Sequence, residues 1–442
     1  MTETILILLT LVLRIPFLHQ SLWLDEAIEA LALQGKMGPL LTYALSDFQP
    51  PLYHGLLYLW TQLAGTSEVA LRIPSLFAGL GVVIIGSKIA KALGTGKAEL
   101  ITGLLLATNP LLIYYSVEGR TYMLTTFFVV LSFYCLIVKK NTLLLLATVG
   151  IVWTSYLGWL VVGIQGLYLI IHKKWTTLIP LVIGGCSIIF WLPSFFQSLN
   201  IGRGTLTNSP AWASVVGALT WRSLPLTWVK FVIGRISFDN KLLYAAIVTA
   251  LSLLHLSILR RFAQSSKLKA QSLLLLWLLG PITLGLVVAS FLPVYQYFRV
   301  LFVLPAYLIL LGLAVAAGQR DHMITRLLVT TQLIFLLIYA FSPRFHHEDW
   351  RGVVASYGTS ATYALPSLNQ DAPLLYYGVS RQKLIEPKSS LPPESPTQIV
   401  YIRYAEELFD GGGTGRANLV AAGYTKASEL VYSGLAVEVY TK

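Results

Sequence analysis

The sequence predicts an α-helical polytopic membrane protein that ends in a small α/β domain. Of its 442 residues, 55% are hydrophobic and only 12% are charged, and the mean hydropathy is +0.69, whereas soluble domains carry about 25% charged residues. Long apolar runs recur up to about residue 341, and ten of the twenty acidic residues lie beyond it. We therefore predict a transmembrane domain over 1–341 and an α/β domain over 342–442.

The apolar runs predict about eleven transmembrane helices across a hydrocarbon core of roughly 30 Å. The first run lacks a basic amino-terminal region, so we expect it to be retained as a span and not cleaved as a signal peptide. The runs lie near 4–18, 73–90, 98–115, 120–138, 142–156, 157–171, 176–196, 241–260, 270–292, 298–318 and 323–341, of which the two between 142 and 171 are only marginally long enough.

The basic residues indicate topology and not a nucleic-acid partner, although the formal net charge is +12. They lie in short turns between apolar runs, and the positive-inside rule makes such turns cytoplasmic. The amino terminus is then predicted to be cytoplasmic and the carboxyl-terminal domain extracytoplasmic. The turns contain Lys88, Lys91 and Lys97; Lys139 and Lys140; Lys173 and Lys174; Arg260, Arg261, Lys267 and Lys269; and Arg320 and Arg326.

Residues 51–65 are apolar enough to form a short helix, but a crossing there would put every later basic turn outside. We therefore predict a juxtamembrane helix on the outer face, beginning at the Pro50-Pro51 pair. The outer face would also hold the region 19–72, the turn 116–120 and the loop 197–240.

The carboxyl-terminal domain shows strand-like and helical patterns. Strands are predicted at 373–377, 398–404 and 430–440, with a break in the last at Ser433-Gly434. Helices are predicted at 349–358 and 415–423, and the proline-rich stretch 387–396 is expected to be a loop.

Asp25 and Glu26 are the first candidates for chemistry. Seven of the ten acids that precede residue 342 fall on the proposed outer face, and these two are adjacent in the loop 19–72. Neighbouring carboxylates beside an apolar surface repel and desolvate each other, which raises or splits their pKa values and suits a general base. The alternative is a solvated loop, or a helix that carries acids in its first turn.

Glu118 lies in a very short outer turn beside Arg120. It can supply a second acid to the cavity that Asp25 faces. The alternative is a local ion pair with Arg120 that closes the turn at Gly119.

Arginines on the outer side suit an anionic lipid head group or a departing phosphate. Arg299 stands out because it lies at the start of a span, where an ionisable group usually faces the protein interior. Arg14 fits the positive-inside rule poorly, and it either snorkels or faces an internal polar cavity. Snorkelling is the alternative for each of the outer arginines, which are Arg72, Arg120, Arg203, Arg222, Arg235 and Arg299.

The histidines do not predict a metal site. The run His346-His347-Glu348-Asp349 has ligand-type side chains, but adjacent ligands rarely chelate one ion. No cofactor is predicted, and dependence on a divalent metal is left open. His54 lies near the Asp25 loop, where it either contacts a substrate or phosphate or packs at the interface.

Several motifs in order resemble a known family. Leu13-Arg-Ile-Pro16 and Leu22-Trp-Leu-Asp-Glu-Ala27 are followed by Phe48-Gln-Pro-Pro-Leu-Tyr53, Leu71-Arg-Ile-Pro-Ser75 and Tyr115-Ser-Val-Glu-Gly-Arg-Thr-Tyr-Met-Leu124, and Arg299 comes much later. The chain resembles the bacterial protein O-mannosyltransferase-like group of GT-C membrane glycosyltransferases, which includes the lipid A aminoarabinose transferase. The resemblance covers most of 10–130 and the overall layout.

The resemblance implies an inverting transfer of sugar from a polyprenyl-phosphate donor to a hydroxyl, at the outer face of a bacterial plasma membrane. The family's catalytic aspartate matches Asp25, with Glu26 beside it, and its second acid matches Glu118. Gln49 stands where the aminoarabinose transferases have a phosphate-binding lysine, which shifts that role to Arg120 or Arg299. The predicted substrate-binding residues are Arg14, Gln49, His54, Arg72, Arg120, Tyr122, Tyr295 and Arg299.

Other functions remain open at this point. A lipid or solute transporter would use Asp25, Glu118 and Arg299 as coupling or binding charges, although such charges are usual at mid-membrane on broken helices in paired halves. A glycan polymerase or ligase would use the arginines of the loop 197–240. The expected partners are the lipid-linked sugar donor, membrane lipid, and an acceptor that is a lipid, a glycan or a protein.

Overall fold

The computed structural model describes residues 2–34, 42–45, 47–208, 213, 216–263, 272–389 and 396–442. Lys267 and Lys269 and most of the predicted loop 387–396 lie outside these ranges. The chain divides into two compact units, of which the first comprises 1–18, 41–63 and 72–340 and the second comprises 19–40, 64–71 and 341–442. Each unit is described by itself.

The described part of the chain is mostly helical up to Phe341. In chain order the helices are α1 (Thr2–Val12), α2 (Leu24–Gln34), α3 (Leu52–Ala64), α4 (Glu68–Leu93), α5 (Gly96–Thr108), α6 (Pro110–Ser116), α7 (Thr121–Val138), α8 (Asn141–Thr154), α9 (Gly158–Ile171), α10 (Trp175–Cys186), α11 (Leu192–Asn208), α12 (Ser223–Ile233), α13 (Lys241–Ala263), α14 (Ser272–Ala289), α15 (Leu304–Ala316) and α16 (Asp321–Phe341).

The protein is a multi-pass membrane protein, but the count of about eleven spans is not confirmed. Among the described residues, six helical stretches are long and apolar enough to cross a membrane, or seven if α5 and α6 count as one bent span. The number of long helices is smaller than the number of apolar runs because several of these runs fold as short or broken helices. The run 4–18 ends its helix at Val12, and the runs between 142 and 171 form α8 and α9 of 14 residues each.

The break between α5 and α6 is specified locally by Asn109 and Pro110. Pro110 has no N–H, and the Asn109 side-chain oxygen accepts hydrogen bonds from the N–H groups of Leu111 and Leu112, each at 3.1 Å. Asn109 therefore caps α6 and competes with continuation of α5. The two helices meet at an angle of 62°.

Arg14 satisfies a carbonyl that this break leaves free. The N–H of Leu111 would normally bond to Ala107 O, but it is held by Asn109 instead. Arg14 Nη1 donates to Ala107 O at 2.9 Å and to Thr10 O at 3.3 Å, and the side chain is fully buried. A cation at the carboxyl end of α5 also suits the helix dipole. Arg14 thus has a structural role that requires no substrate.

Arg72 is the second fully buried arginine of the first unit. Its Nη1 donates to Leu18 O at 3.0 Å. Pro74 lies inside α4 two residues later, where it has no backbone N–H to donate. The side chain therefore ties α4, near its proline, to the turn that follows α1.

The second unit contains a five-stranded sheet formed by β1 (Thr362–Ala364), β2 (Leu384–Ile385), β3 (Gln398–Ile402), β4 (Thr425–Tyr432) and β5 (Leu435–Thr441). The strand order is β2-β1-β3-β5-β4, in which β1 pairs in parallel with β2 and β3, and the two pairs made by β5 are antiparallel. Its helices are α17 (Trp350–Tyr357), α18 (Ala372–Tyr376), α19 (Glu406–Phe409) and α20 (Thr414–Ala421).

Alternation along β3 gives the sheet two apolar faces. Val400 and Ile402 face a core with Trp350 and Leu374, whereas Ile399 packs with the other cluster, around Tyr401 and Leu419. This is the period of two that a strand imposes on its side chains.

Most of the predicted elements of this domain are confirmed, but the strand at 373–377 is wrong. That stretch is helix α18, with Pro373 in its first turn and Leu374 buried in the core. A proline that cannot donate to a strand ladder is well placed at a helix start, which explains the change. The predicted helix at 51–65 exists as α3, and its place on the outer face stays a prediction.

We expect Arg14→Met to lower the stability of the first unit. The substitution leaves the Ala107 carbonyl without its donor in a buried position, which costs about 1–3 kcal/mol. Thermal unfolding of the purified protein in detergent should show a lower midpoint. Arg320→Met, at an exposed turn, is the control, and equal midpoints for the two variants would contradict this account.

Candidate functional site

The side chains of Asp47 and His54 form a close, largely buried pair in the first unit. His54 lies in the first turn of α3, and its Nε2 is 3.0 Å from Asp47 Oδ2. The other carboxylate oxygen accepts from the N–H of Phe48 at 2.7 Å. The His54 ring meets the ring of Tyr43 edge-on, with centroids 5.1 Å apart. These contacts hold the imidazole in one orientation.

The carboxylate of Asp47 is kept ionised. Burial raises its pKa, but the hydrogen bond with His54, the charge of Arg120 and the N–H of Phe48 outweigh burial and hold the pKa below its usual value. The backbone carbonyl of Asp47 also accepts from Ser198 Oγ at 3.3 Å. His54 and the charge of Arg120 therefore both favour the ionised form of Asp47.

Glu118 lies near a second cation, Arg235. Glu118 is 3% exposed in the turn between α6 and α7. Arg235 donates to the hydroxyl of Tyr114 and lies 4.4 Å above the centre of that ring. Burial lowers the pKa of Arg235, but the nearby Tyr114, Tyr297, Tyr115 and Glu118 raise it overall. The arginine thus stays charged beside Glu118.

Aromatic rings line the same part of the first unit. Tyr122 meets Tyr115 and Phe298 edge-on, with centroid distances of 5.5 Å and 5.2 Å. Tyr297 packs edge-on against Phe298 at 5.3 Å. These contacts join the segment before α15 to α6 and to the start of α7.

The segment that carries Tyr295 and Arg299 is braced by backbone contacts. Gly217 has φ +120°, and a Cβ there would lie 2.7 Å from Tyr295 O, so only glycine fits. The Tyr295 N–H donates to Gly217 O at 3.2 Å, and its hydroxyl pairs with Thr227 Oγ1 at 3.2 Å. Arg299 Nη1 donates to Val294 O at 3.3 Å.

Gln49 offers a polar group without a charge. Its Oε1 is buried and has no hydrogen-bond partner among the residues that the structure describes. An amide oxygen can accept a hydrogen bond from a ligand hydroxyl, but it cannot neutralise a phosphate.

Asp25 and Glu26 both belong to the second unit, in the first turn of α2. Asp25 is partly exposed, whereas Glu26 is 1% exposed, so the two neighbours occupy different environments. Of the two, Asp25 is the carboxylate that solvent can reach. The sequence left open that these acids lie in the first turn of a helix, and the structure places them there.

Tyr404 and Glu348 lie near Asp25. Burial raises the pKa of Tyr404, and the charges of Glu348 and Asp25 and a hydrogen bond to Glu348 raise it further. The phenol therefore stays protonated at neutral pH and can donate a hydrogen bond.

The run His346-His347-Glu348-Asp349 has separate structural contacts. His347 stacks on Trp23 with centroids 6.2 Å apart, and Asp349 caps α17 by accepting from the N–H of Gly352 at 2.9 Å. Within the described ranges, no three His, Cys, Asp or Glu side chains are grouped to hold a metal ion.

The structure groups the predicted residues by unit. Glu118, Arg120, His54, Tyr122 and Arg299 belong to the first unit, and Asp25 and Glu26 belong to the second. Sequence reasoning did not include Asp47, Arg235, Tyr297 or Tyr404 among the site residues. Arg235 and Asp47 had a signal, as ionisable groups in loops predicted to lie on the outer face, whereas Tyr404 had none.

The sequence matches no protein-family model and no curated protein sequence. Its fold is nevertheless similar to solved structures. One is ArnT from Cupriavidus metallidurans bound to undecaprenyl phosphate, with TM-score 0.55 and 12% identity over 99% of this chain and 97% of that chain. The same enzyme in the apo state gives TM-score 0.56 and 11% identity, with equal coverage.

A third similar structure is an Archaeoglobus fulgidus oligosaccharyltransferase in complex with Zn and sulfate. Its TM-score is 0.50 at 11% identity, over 98% of this chain and 73% of that chain. The chain therefore has the GT-C fold that the motif resemblance implies.

We expect Asp47→Asn to destabilise the protein by about 1–3 kcal/mol near pH 7. Because the folded-state pKa of Asp47 is lowered, its contribution is complete above the unfolded-state pKa of about 3.9 and is lost as pH falls through the lowered value. The difference between the unfolding midpoints of wild type and variant should therefore begin to narrow below about pH 3.9. Glu407→Gln, at an exposed acid, is the control and should change the midpoint little at neutral pH. A gap for Asp47→Asn that persists at low pH would show that its charge is not what stabilises the pair.

Proposed function

We propose that the protein is an inverting glycosyltransferase that moves a sugar from a polyprenyl-phosphate donor to a hydroxyl acceptor at the outer face of a bacterial plasma membrane. The observation that carries the proposal is the fold similarity over 99% of the chain to ArnT, whose structure holds undecaprenyl phosphate. The motifs around Asp25 and Glu118 are the second support. The sugar and the acceptor are left to experiment.

The first unit supplies candidates for binding the donor phosphate. Arg235 donates to the hydroxyl of Tyr114, and the charge of Arg120 acts on the carboxylate of Asp47. Guanidinium groups bind phosphate oxygens through paired hydrogen bonds and retain their charge when buried. Gln49 cannot neutralise a phosphate, so the arginines, with Arg299, take that role. As the phosphate departs it gains negative charge, and these cations lower the barrier.

Asp25 is proposed as the general base of the second unit. It takes the proton of the acceptor hydroxyl while the acceptor oxygen forms a bond to the anomeric carbon. The bond from that carbon to the phosphate oxygen breaks, and the phosphate leaves with the bonding electrons. One displacement inverts the configuration and needs one well-placed carboxylate. Glu26 is buried beside Asp25, and its proposed role is to support Asp25.

We expect Asp25→Asn to slow transfer strongly without preventing donor binding. Membranes with wild type or variant are given radiolabelled polyprenyl-phosphate sugars, with and without Mg²⁺, and donor consumption is followed. Loss of a general base typically costs about 10²–10⁴-fold in rate. Glu407→Gln serves as the matched carboxylate control.

Two results would count against this assignment. If the Asn variant transfers as fast as wild type, Asp25 is not the base. If wild type leaves every donor untouched but moves a lipid or solute across the membrane, the transporter function takes its place.

We expect Arg235→Gln to weaken use of the donor, because Arg235 is proposed to bind the donor phosphate. The rate at low donor concentration should fall by about 10-fold or more, since a charge-assisted hydrogen bond contributes about 1.5–3 kcal/mol. Arg222→Gln is the matched control, because Arg222 is, like Arg235, an exposed arginine that lies over an aromatic ring, 5.0 Å from the centre of Trp221. Equal losses for the two variants would mean that outer positive charge in general, and not Arg235, binds the donor.

A further inference from the structure

Four residues of the second unit close a ring of hydrogen bonds next to α2. The N–H of Arg351 donates to Ser21 Oγ at 3.2 Å, and Ser21 Oγ pairs with the Tyr377 hydroxyl at 3.2 Å. The Tyr377 hydroxyl donates to Glu68 Oε1 at 2.9 Å, and Arg351 Nη1 donates to the same oxygen at 3.0 Å. The ring thus joins three stretches of sequence, namely 21, 68 and 351–377.

In this arrangement the Tyr377 hydroxyl uses its one hydrogen as a donor and its oxygen as an acceptor. Its single hydrogen goes to Glu68, so its oxygen is free to accept from the N–H of Leu22 at 2.9 Å and from Ser21. Each hydrogen bond in the ring can therefore be given one donor and one acceptor without conflict. Burial raises the pKa of Tyr377, which keeps the phenol protonated and able to donate.

Further contacts hold the same stretch of backbone. Arg351 Nη2 donates to His19 O at 2.9 Å, and the His347 N–H donates to Gln20 Oε1 at 3.3 Å. Leu22 is fully buried, and α2 packs against α18, whose carboxyl end leads into Tyr377. Residues 19–22 are therefore fixed one after another immediately before α2 begins at Leu24.

Asp25 follows this fixed stretch by three residues and lies in the first turn of α2. The N–H of Ala27 bonds to Trp23 O at 3.0 Å, so the first helical turn starts directly from the stretch that the ring holds. A shift of residues 21 and 22 would be transmitted to Asp25 through one turn of helix.

We infer that Tyr377, Glu68 and Arg351 are positioning residues that set the place of Asp25 by holding the start of α2. The inference rests on the proposed role of Asp25 as the base. It assigns the carboxyl-terminal α/β domain a part in transfer, although none of the three side chains needs to touch the donor or the acceptor.

The test replaces Tyr377 by Phe, which keeps the ring volume and removes the hydroxyl. Leu22 N–H then loses its acceptor, and Glu68 loses one donor. Because a displacement of about 1 Å at a reacting group can cost about 10²-fold in rate, kcat for transfer should fall by about 10- to 100-fold while the donor KM stays within about twofold.

The controls separate positioning from folding. Tyr424→Phe removes the hydroxyl of a buried tyrosine of the same unit, which donates to Pro396 O at 2.9 Å, and it should leave kcat unchanged. Glu68→Gln keeps an acceptor oxygen and should retain most activity, whereas Glu68→Leu should behave like Tyr377→Phe. Unfolding midpoints show whether each variant is folded.

A double-mutant cycle gives the decisive readout. In an Asp25→Asn background, Tyr377→Phe should cause no further loss of residual transfer, because it acts through the carboxylate that is already absent. If Tyr377→Phe leaves kcat unchanged, the inference is overturned. It is also overturned if Tyr377→Phe lowers kcat by the same factor in the Asp25→Asn background as in wild type.

Hydrogen exchange tests the contact independently of activity. The amides of 22–27 should exchange faster in Tyr377→Phe and Glu68→Leu than in wild type, and at the wild-type rate in Tyr424→Phe. If wild type transfers no sugar, the proposed function fails, and exchange alone then decides whether Tyr377 holds the start of α2. Unchanged exchange in Tyr377→Phe would overturn the inference in either case.

Discussion

The hydrogen bond from Arg14 to the Ala107 carbonyl is the interaction on which the described arrangement of the first unit depends. A helix broken in an apolar environment exposes backbone groups that no water satisfies. Asn109 takes the N–H groups at the start of α6, and Arg14 takes the carbonyl at the end of α5. With both ends satisfied, a bend of 62° becomes stable. That bend directs α6 into the turn that holds Glu118, beside Arg235 and Tyr114.

The two units restrain their polar groups by different interactions. In the first unit, ionised side chains are held by neighbours of opposite charge or by phenols, as Asp47 is by His54 and Arg235 is by Tyr114. In the second unit, a ring of hydrogen bonds fixes backbone that precedes a helix. Both devices restrain side chains before a ligand arrives, and such preorganisation reduces the reorganisation that catalysis would otherwise require.

The sequence indicated the fold through features that are local. Apolar runs and basic turns predicted a polytopic helical protein, and the change of composition near 342 predicted an α/β domain, in which β3, the break at Ser433-Gly434 and two helices were found as expected. The helix at 373–377 was missed, because an apolar run of five residues fits a strand as well as a helix and only its packing through Leu374 decides. The count of about eleven spans is not confirmed, and run length by itself does not reveal a break such as Asn109-Pro110.

By itself the sequence determined which side chains carry charge and which loops they occupy, since charge and hydropathy are properties of single residues and short windows. It placed Asp25, Glu118 and Arg120 among the predicted site residues on that basis, and it counted Arg235 only among the outer arginines. Only the tertiary structure decided that Asp47 pairs with His54, that Arg235 lies beside Glu118 and that Tyr377 bonds to Leu22 and Glu68. These pairs join residues up to 355 positions apart. Such contacts depend on how the helices and strands pack, and no local pattern encodes them.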